Sequence, residues 1–349
     1  MASARRGPFT WLMLARLKEF TREPEVIFWV FGFPVLLAVA LGIAFRNKPP
    51  DQVVVGVIEA EGAARIAEAL GAAAGFEVVR LAEADAAQRL RMGKVSLVVV
   101  PGGPVQYRFD PTRPDSTLAR HLVDDALQRA AGRQDPVVIK EALVTEPGAR
   151  YIDFLIPGLL GMNIMSGGMW GVGFALVDMR TKKLLKRLVA TPMRRRDFLG
   201  AMMASRGLFV VLEVVLMLLL GWLLFGMVVR GSLPGIMLLA VLGAFCFASI
   251  GLLVASRATK IETVTGLINL VMLPMFVFSG IFFSSERFPA VLQPFIKALP
   301  LTALNDALRA SILEGAALAD PAQLARIGIM LLWGGLSFVL AMRWFRWAS

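Results

Sequence analysis

The chain has 349 residues, 57% of them apolar and 18% charged, and its mean hydropathy is positive. That balance lies outside the range of water-soluble domains. The formal net charge of +11 invites a nucleic-acid reading, but residues 46–150 carry 14 Lys/Arg against 14 Asp/Glu, so the excess sits beside the apolar stretches and argues against it.

In chain order, residues 9–24, FTWLMLARLKEFTREP, mix Trp11, Leu12, Leu14, Leu17 and Phe20 with Arg16, Lys18 and Arg22 before Pro24. The pattern fits a helix lying in the membrane interface, apolar side down. Residues 26–45, VIFWVFGFPVLLAVALGIAF, are uncharged over twenty positions. At about 1.5 Å rise per residue this matches the apolar thickness of a bilayer, and the stretch is read as a retained membrane span rather than a cleaved leader.

An insert at 46–150 follows. Five β-rich runs at 53–58, 76–81, 95–101, 105–110 and 137–144 alternate with helical patterns at 61–74, 83–92 and 117–131, which predicts a compact α/β module. In the last helix Leu118, Leu122, Ala126 and Ala130 share one face, with Ser116 or Thr117 as the cap. His121, the only histidine, stands on a charged face without the spacing of other ligands that a metal site needs. Cys246, the only cysteine, falls within a later span, so no intrachain disulfide staples this module.

Further spans are predicted at 154–177, 207–229, 233–256, 263–283 and 327–345, giving six crossings. With the N-terminus inside, the segments 1–25, 178–206, 257–262 and 343–349 hold 18 Lys/Arg, whereas the short outside segments 230–235 and 284–326 hold 5. Short cytoplasmic loops are enriched in Lys/Arg, so both termini are placed in the cytoplasm and the insert outside. The predicted fold class is an α-helical polytopic membrane protein with six transmembrane helices and an inserted extracytoplasmic α/β domain. Its parts are a cytoplasmic N-terminus at 1–25, a first helix at 26–45, the α/β domain at 46–150 and a five-helix domain at 151–349. The last of these includes a cytoplasmic loop at 178–200 and an outer hairpin at 284–322.

The cytoplasmic loop carries the densest signal. Leu184, Leu185, Leu188 and Val189 recur at helical spacing, Lys182, Lys183, Lys186 and Arg187 cover the other side, and Thr191 and Pro192 end the run ahead of Arg194, Arg195 and Arg196. A helix over 180–191 could seat in a groove on a cytoplasmic partner; lipid-surface attachment is the plainer alternative, and for the arginine triplet a lipid-binding anchor is preferred to nucleic acid. Glu213 is the one carboxylate well inside a span. Arg206, seven residues earlier, is read as too distant to pair with it, so a contact with a neighbouring span or the loop is expected. Asn163 with Met162, Met165 and Ser166, and Asn269, Met272 and Phe276 with Met275, could line a substrate path, although methionine is also ordinary filler between helices. Gly167, Gly168, Gly171 and Gly173 indicate close helix packing. Pro274 in the fifth span would free a backbone carbonyl. The outer segment that follows, with Pro289, Pro294 and Pro300 among apolar residues, is read as short helices dipping into the outer leaflet.

Three stretches carry a family likeness. KEFTREPEVIFWVFGFPVLLAVALGIAF, RLVATPMRRRDFLG and LPMFVFSGIFFSSERFPAVLQPFIKALPLTALNDALRA resemble the interfacial entry, the cytoplasmic loop and the fifth span with outer hairpin of the ATP-binding-cassette type 2 permeases. The order of elements is also similar. The loop departs from the family pattern in having Asp178 followed by RTKKLLKRL instead of a Gly-Thr-Leu-Glu-like run.

The resemblance implies the membrane subunit of a bacterial exporter in the cytoplasmic membrane. It would be paired with a second permease copy as a homodimer, or with a close relative, and with a separate ATPase that binds ATP and Mg. Leu184, Leu185, Arg187, Leu188, Thr191 and Pro192 would meet that subunit. The chain contains no GxxxxGK[ST] phosphate loop and no nucleophile, base or metal constellation, so it is read as no enzyme, binding no cofactor itself. Two other readings stay open: an ion-coupled secondary carrier, and a signalling or mechanotransmitting protein with an outer sensor domain.

Overall fold

A computed structural model of the chain describes residues 8–44, 52–134, 136–137, 150–189 and 195–344. The chain divides into two units, Met1–Arg46 with Thr145–Ser349, and Asn47–Val144.

The first unit begins with α1 (Pro8–Arg22), α2 (Pro24–Ile27), a π-helical turn (Phe28–Gly32) and α3 (Phe33–Ala44). Pro24 opens α2, where its missing N–H is no loss. α1 packs against a later span and leaves Trp11 exposed. The predicted span at 26–45 is therefore a segmented helix. Among the described residues five helices are long and apolar enough to cross a membrane, while Phe28–Ala44 is apolar but shorter. By helix length five of the six expected spans are found among the described residues, and the remaining one, at 26–45, is described as far as Ala44, with residues 45–51 outside the described residues.

The second unit comprises β1 (Val53–Ile58), α4 (Ala63–Ala72), β2 (Phe76–Leu81), α5 (Glu83–Arg91), β3 (Leu97–Val100), β4 (Gln106–Arg108) and α6 (Pro114–Ala130). The sheet order is β2-β1-β3-β4, with β1 parallel to β2 and β3, and β4 antiparallel to β3. Side chains alternate across a strand, so Val55 and Val57 of β1 meet Leu70 of α4 with Ala119 and Val123 of α6, while Ile58 joins Leu81, Val98 and Ala86 of α5 on the other face. The expected strand at 137–144 lies outside the described residues beyond Val137.

The predicted stripe on α6 is corrected. Leu118 and Leu122 are 58% and 41% exposed, and the buried side is Ser116, Ala119 and Val123. Small side chains let the helix lie close to the sheet, which decides against the leucine face. The helix also starts earlier than the Ser116/Thr117 cap, at Pro114 with Arg113 before it. His121 is exposed.

The first unit resumes with α7 (Tyr151–Gly168), a π-helical turn (Met169–Phe174) and α8 (Ala175–Thr181), together one span, Tyr151–Thr181. There follow α9 (Leu184–Val189), α10 (Arg195–Phe225), α11 (Leu233–Ala255), α12 (Ile261–Phe278), α13 (Gln293–Ala298), α14 (Pro300–Arg309) and α15 (Pro321–Trp344). α11 is the central helix, apolar all round and touching α7, α10, α12, α14 and α15. Its start is fixed by Ser232, whose side chain accepts from the Gly235 N–H at 3.3 Å.

Glycine brings α7 and α11 together. A Cβ on Gly251 would stand 2.7 Å from the Gly168 carbonyl oxygen, and one on Gly173 would stand 2.8 Å from that of Gly251. Gly171 faces open space, and Gly167 serves a different neighbour, described below. Cys246 is fully buried beside Gly334, as a small packing residue would be.

Two expectations follow. Gly251→Leu should cost about 1–3 kcal/mol, as overpacking does, and lower the thermal midpoint in detergent, whereas Gly171→Ala should leave it unchanged or slightly raised. In the α/β unit, burial and the Asp124 carboxylate that accepts from its hydroxyl push the Tyr107 phenol up to about 12. The neutral phenol is thus favoured in the folded state. Stability should be constant below the ordinary tyrosine range near 10 and fall as pH rises towards 12, a component that Tyr107→Phe should remove from urea unfolding curves.

Candidate functional site

The apolar bundle holds an ionic network in its middle. Arg206 and Glu213 of α10 are 7% and 1% exposed. Arg206 donates through Nη1 to Glu213 Oε1 at 2.7 Å and through Nη2 to Oε2 at 3.2 Å. The expectation that these two could not pair is wrong. Seven residues make almost two full helical turns, so both side chains leave α10 on the same side, and the long arginine stem closes the remaining distance.

The same Nη2 donates to the Asn163 carbonyl of α7 at 3.2 Å, and Asn163 Nδ2 donates to the Val30 carbonyl at 2.9 Å. Val30 lies in the π-helical turn of the first apolar helix. A π turn displaces the regular ladder and offers such a carbonyl to an outside donor. Three helical segments are thus tied through one guanidinium and one amide. Gly167 is the floor of this arrangement, because a Cβ there would fall 1.9 Å from Arg206 Cζ. Sequence spacing marks Gly167 only as a packing glycine. What it admits is a guanidinium laid flat on the helix.

Other arginines fasten the ends of the same span. At one end Arg150 grips Asp153, with Nε to Oδ2 at 2.9 Å and Nη2 to Oδ1 at 3.0 Å, and donates to the Phe225 carbonyl at the end of α10 at 2.7 Å. Arg309 of α14 lies 3.7 Å over the Phe154 ring, donates to the Phe154 carbonyl at 3.3 Å, and also bonds the Gly280 carbonyl. Asn305, one turn earlier on α14, donates to the Ser279 carbonyl at 2.8 Å. At the other end Arg180 of α8 donates to the carbonyls of Ala255 at 3.1 Å, Ser256 at 3.4 Å and Ala258. Arg150, Arg180, Arg309 and Asn305 were not singled out from the sequence. Their signal is a polar side chain within a turn or two of an apolar run, which alone does not reveal its carbonyl partners.

The predicted substrate-path residues do not converge. Asn163 and Glu213 belong to the buried network, with Met162 and Met165 buried nearby on α7. Asn269 is exposed on α12, Met272 is half-buried and Phe276 is 36% exposed. α12 buries only a stripe of Val264, Ile268 and Met275 and is the least covered of the central spans. A groove of about 490 Å³ lies elsewhere, between α10 and α11, lined by Met203, Ala204, Gly207, Leu208, Val241 and Phe245.

The helix expected over 180–191 is interrupted at Lys182 and Lys183, and its part beyond Val189 lies outside the described residues. α8 stops at Thr181, Lys183 adopts a left-handed φ of 58°, and α9 covers Leu184–Val189. A lysine in that region ends one helix and turns the chain into the next. Leu185 is fully buried in the bundle core, while Leu184 is 37% exposed and Lys186 and Arg187 are exposed. The side chain of Leu188, the side chains of Arg195 and Arg196, and residues Thr191, Pro192 and Arg194 lie outside what is described. Among the described residues no three His, Cys, Asp or Glu side chains converge as metal ligands.

The buried pair sets a clear test. Removing one partner strands a charge, which typically costs about 3–5 kcal/mol, whereas an apolar pair of similar volume is often tolerated. Glu213→Leu should therefore destabilise the protein sharply, Arg206→Met/Glu213→Leu should recover most of the loss, and Gly167→Val should damage it by displacing the guanidinium. Thermal unfolding of purified protein in detergent reads all three.

Compared with known proteins, residues 24–343 match the sequence model of the family described as ABC-2 family transporter protein. The chain is also 29% identical over 178 residues to the inner membrane transport permease YhhJ of Escherichia coli (strain K12), and equally to the protein of that name from Shigella flexneri. That match takes in 50% of this chain and 46% of each relative, so the chain aligns with about half the length of the curated relatives it matches.

Proposed function

The chain belongs to the ABC-2 family of transporter proteins, and from that premise we propose that it is the membrane-spanning subunit of an ATP-driven exporter that moves a lipophilic substrate, such as a drug or a lipid, out of the cytoplasm or inner leaflet. A second copy of the chain stands beside it and an ATP-binding-cassette ATPase, which carries ATP and Mg, docks below. In this reading Phe28–Ala44 is the sixth crossing, both termini are cytoplasmic, and the α/β unit lies outside the bacterial cytoplasmic membrane. The observation that carries the proposal is the family match across nearly the whole bundle. The positive character of the loops at 178–206 supports the orientation.

The loop geometry supports a docking role. α9 presents Leu184, Lys186 and Arg187 outward while Leu185 anchors it in the bundle. An apolar side chain flanked by cations suits a shallow groove with an acidic rim. Movement imposed there would pass to the spans through Leu185 and α8. ATP binding would draw the inner ends together and hydrolysis would release them.

The ion-coupled reading has less to stand on. Carriers of that kind usually expose titratable groups near the midplane, whereas Glu213 is bonded to Arg206 and Asp153 to Arg150. A signalling protein with an outer sensor is the remaining rival, and it would produce no flux.

Co-purification with an ATP-binding-cassette ATPase encoded beside it tests the proposal. Turnover should rise on assembly. Leu184→Asp and Arg187→Glu should each lower the assembled turnover at least about threefold without changing the permease's own thermal midpoint, since both side chains face outward. Leu185→Asp should instead unfold the inner end. Association that survives deletion of residues 184–189 would remove α9 as the docking element. Protease added to intact spheroplasts should cut within the α/β unit, and protection there would invert the orientation.

A further inference from the structure

Arg180 stands at the junction between the cytoplasmic loop and the bundle, and its bonds run to an element distant in sequence. It is 9% exposed, on the last turn of α8, three residues before Lys183 turns the chain into α9. Its guanidinium bonds the carbonyls of Ala255, Ser256 and Ala258. The carbonyls of Ala255 and Ser256 are among those that the end of α11 leaves without helical partners, where a cation also meets the negative end of the helix dipole, and Ala258 lies in the link that follows.

Arginine suits this place better than lysine would. Its planar fork presents five donors in a fixed geometry, so three carbonyls held by it keep their relative orientation. The surrounding turn is closed by local bonds: Lys182 Nζ to Asp178 Oδ2 at 2.7 Å, Thr181 Oγ1 to the Asp178 carbonyl at 2.8 Å, and the Lys183 N–H to the Arg180 carbonyl at 3.0 Å. α8 therefore ends as a braced stub. Arg180 thus sits between the turn that leads into α9 and the end of α11.

Beyond Ala258 the chain runs directly into α12, whose first turn closes with the Val264 N–H bonding the Lys260 carbonyl at 3.2 Å. α12 buries little of its surface, and it rests on α11, on α8 and on the π turn before α8. It is also the span that carries Asn269, Met272 and Phe276.

We propose that Arg180 is the positioning residue that links α9 to the α11–α12 junction, so that a displacement at the ATPase-docking loop moves α12. This deepens the permease reading and rests on it.

The test uses the full chain with its ATPase in lipid nanodiscs, on a Cys246→Ala background carrying one new cysteine for a bimane label. Thr181→Cys reports on motion entering the loop, and Asn269→Cys on motion reaching α12. A non-hydrolysable ATP analogue should shift both labels in the otherwise wild-type chain. With Arg180→Gln the Thr181 label should still respond, ATPase co-purification and basal turnover should stay within about twofold, and the Asn269 response should fall at least about fivefold. Arg180→Lys, which keeps the charge but loses the fork, should lower the Asn269 response about twofold and supplies the readout should Arg180→Gln not fold. A full Asn269 response in either variant overturns the proposal while leaving the permease reading intact. Failure of the unmutated chain to retain any ATPase overturns that reading, and this one with it.

Discussion

A polar group inside an apolar bundle has no water to turn to, and that constraint organises the first unit more than any single apolar contact. The Arg206–Glu213 pair meets it in large part, with Arg206 Nε left without a bond. Each carboxylate oxygen accepts from the guanidinium, and a remaining donor reaches the Asn163 carbonyl. The amide of Asn163 then satisfies the carbonyl of Val30. Nothing in this chain of bonds can be deleted singly without exposing the next member, so the position of three helical segments depends on it.

Seen this way, the span Tyr151–Thr181 is a spine to which the neighbours are fastened by arginine. Arg150 reaches the end of α10, Arg309 brings in α14 and the loop after α12, Arg206 holds its middle, and Arg180 takes the end of α11. In each case the acceptors include main-chain carbonyls, which side-chain substitution in the acceptor segment cannot abolish. The glycines complete the same design, since Gly167 admits a guanidinium and Gly168 and Gly173 admit α11.

The apolar runs, the strands β1 and β2 and the boundaries of α11 are legible from the sequence, because hydropathy and runs of β-branched residues are local signals. A four-residue rule of contact does not join Arg206 to Glu213, whereas an arginine stem spans seven residues. On α6 helical spacing groups Leu118 with Leu122, whereas close approach to the sheet selects Ala119 and Val123. Nothing in Arg-Thr-Lys-Lys-Leu announces the left-handed lysine that separates α8 from α9. Asn163 and Glu213 stand out in the sequence as polar residues within predicted spans, and the structure buries both. Their company was not readable, because contacts between helices that lie far apart in sequence leave no periodic trace.

That Arg206 and Glu213 sit on one helix bears on how the chain enters the membrane at all. An ion pair shared between two helices stays open until both have been inserted and have found each other, and each helix must meanwhile carry a bare charge through the insertion machinery. Here the counter-ion travels with the charge, two turns away on the same segment. The spanning part of α10, Gly200–Phe225, can therefore pass sideways into lipid with its two charges balanced against each other.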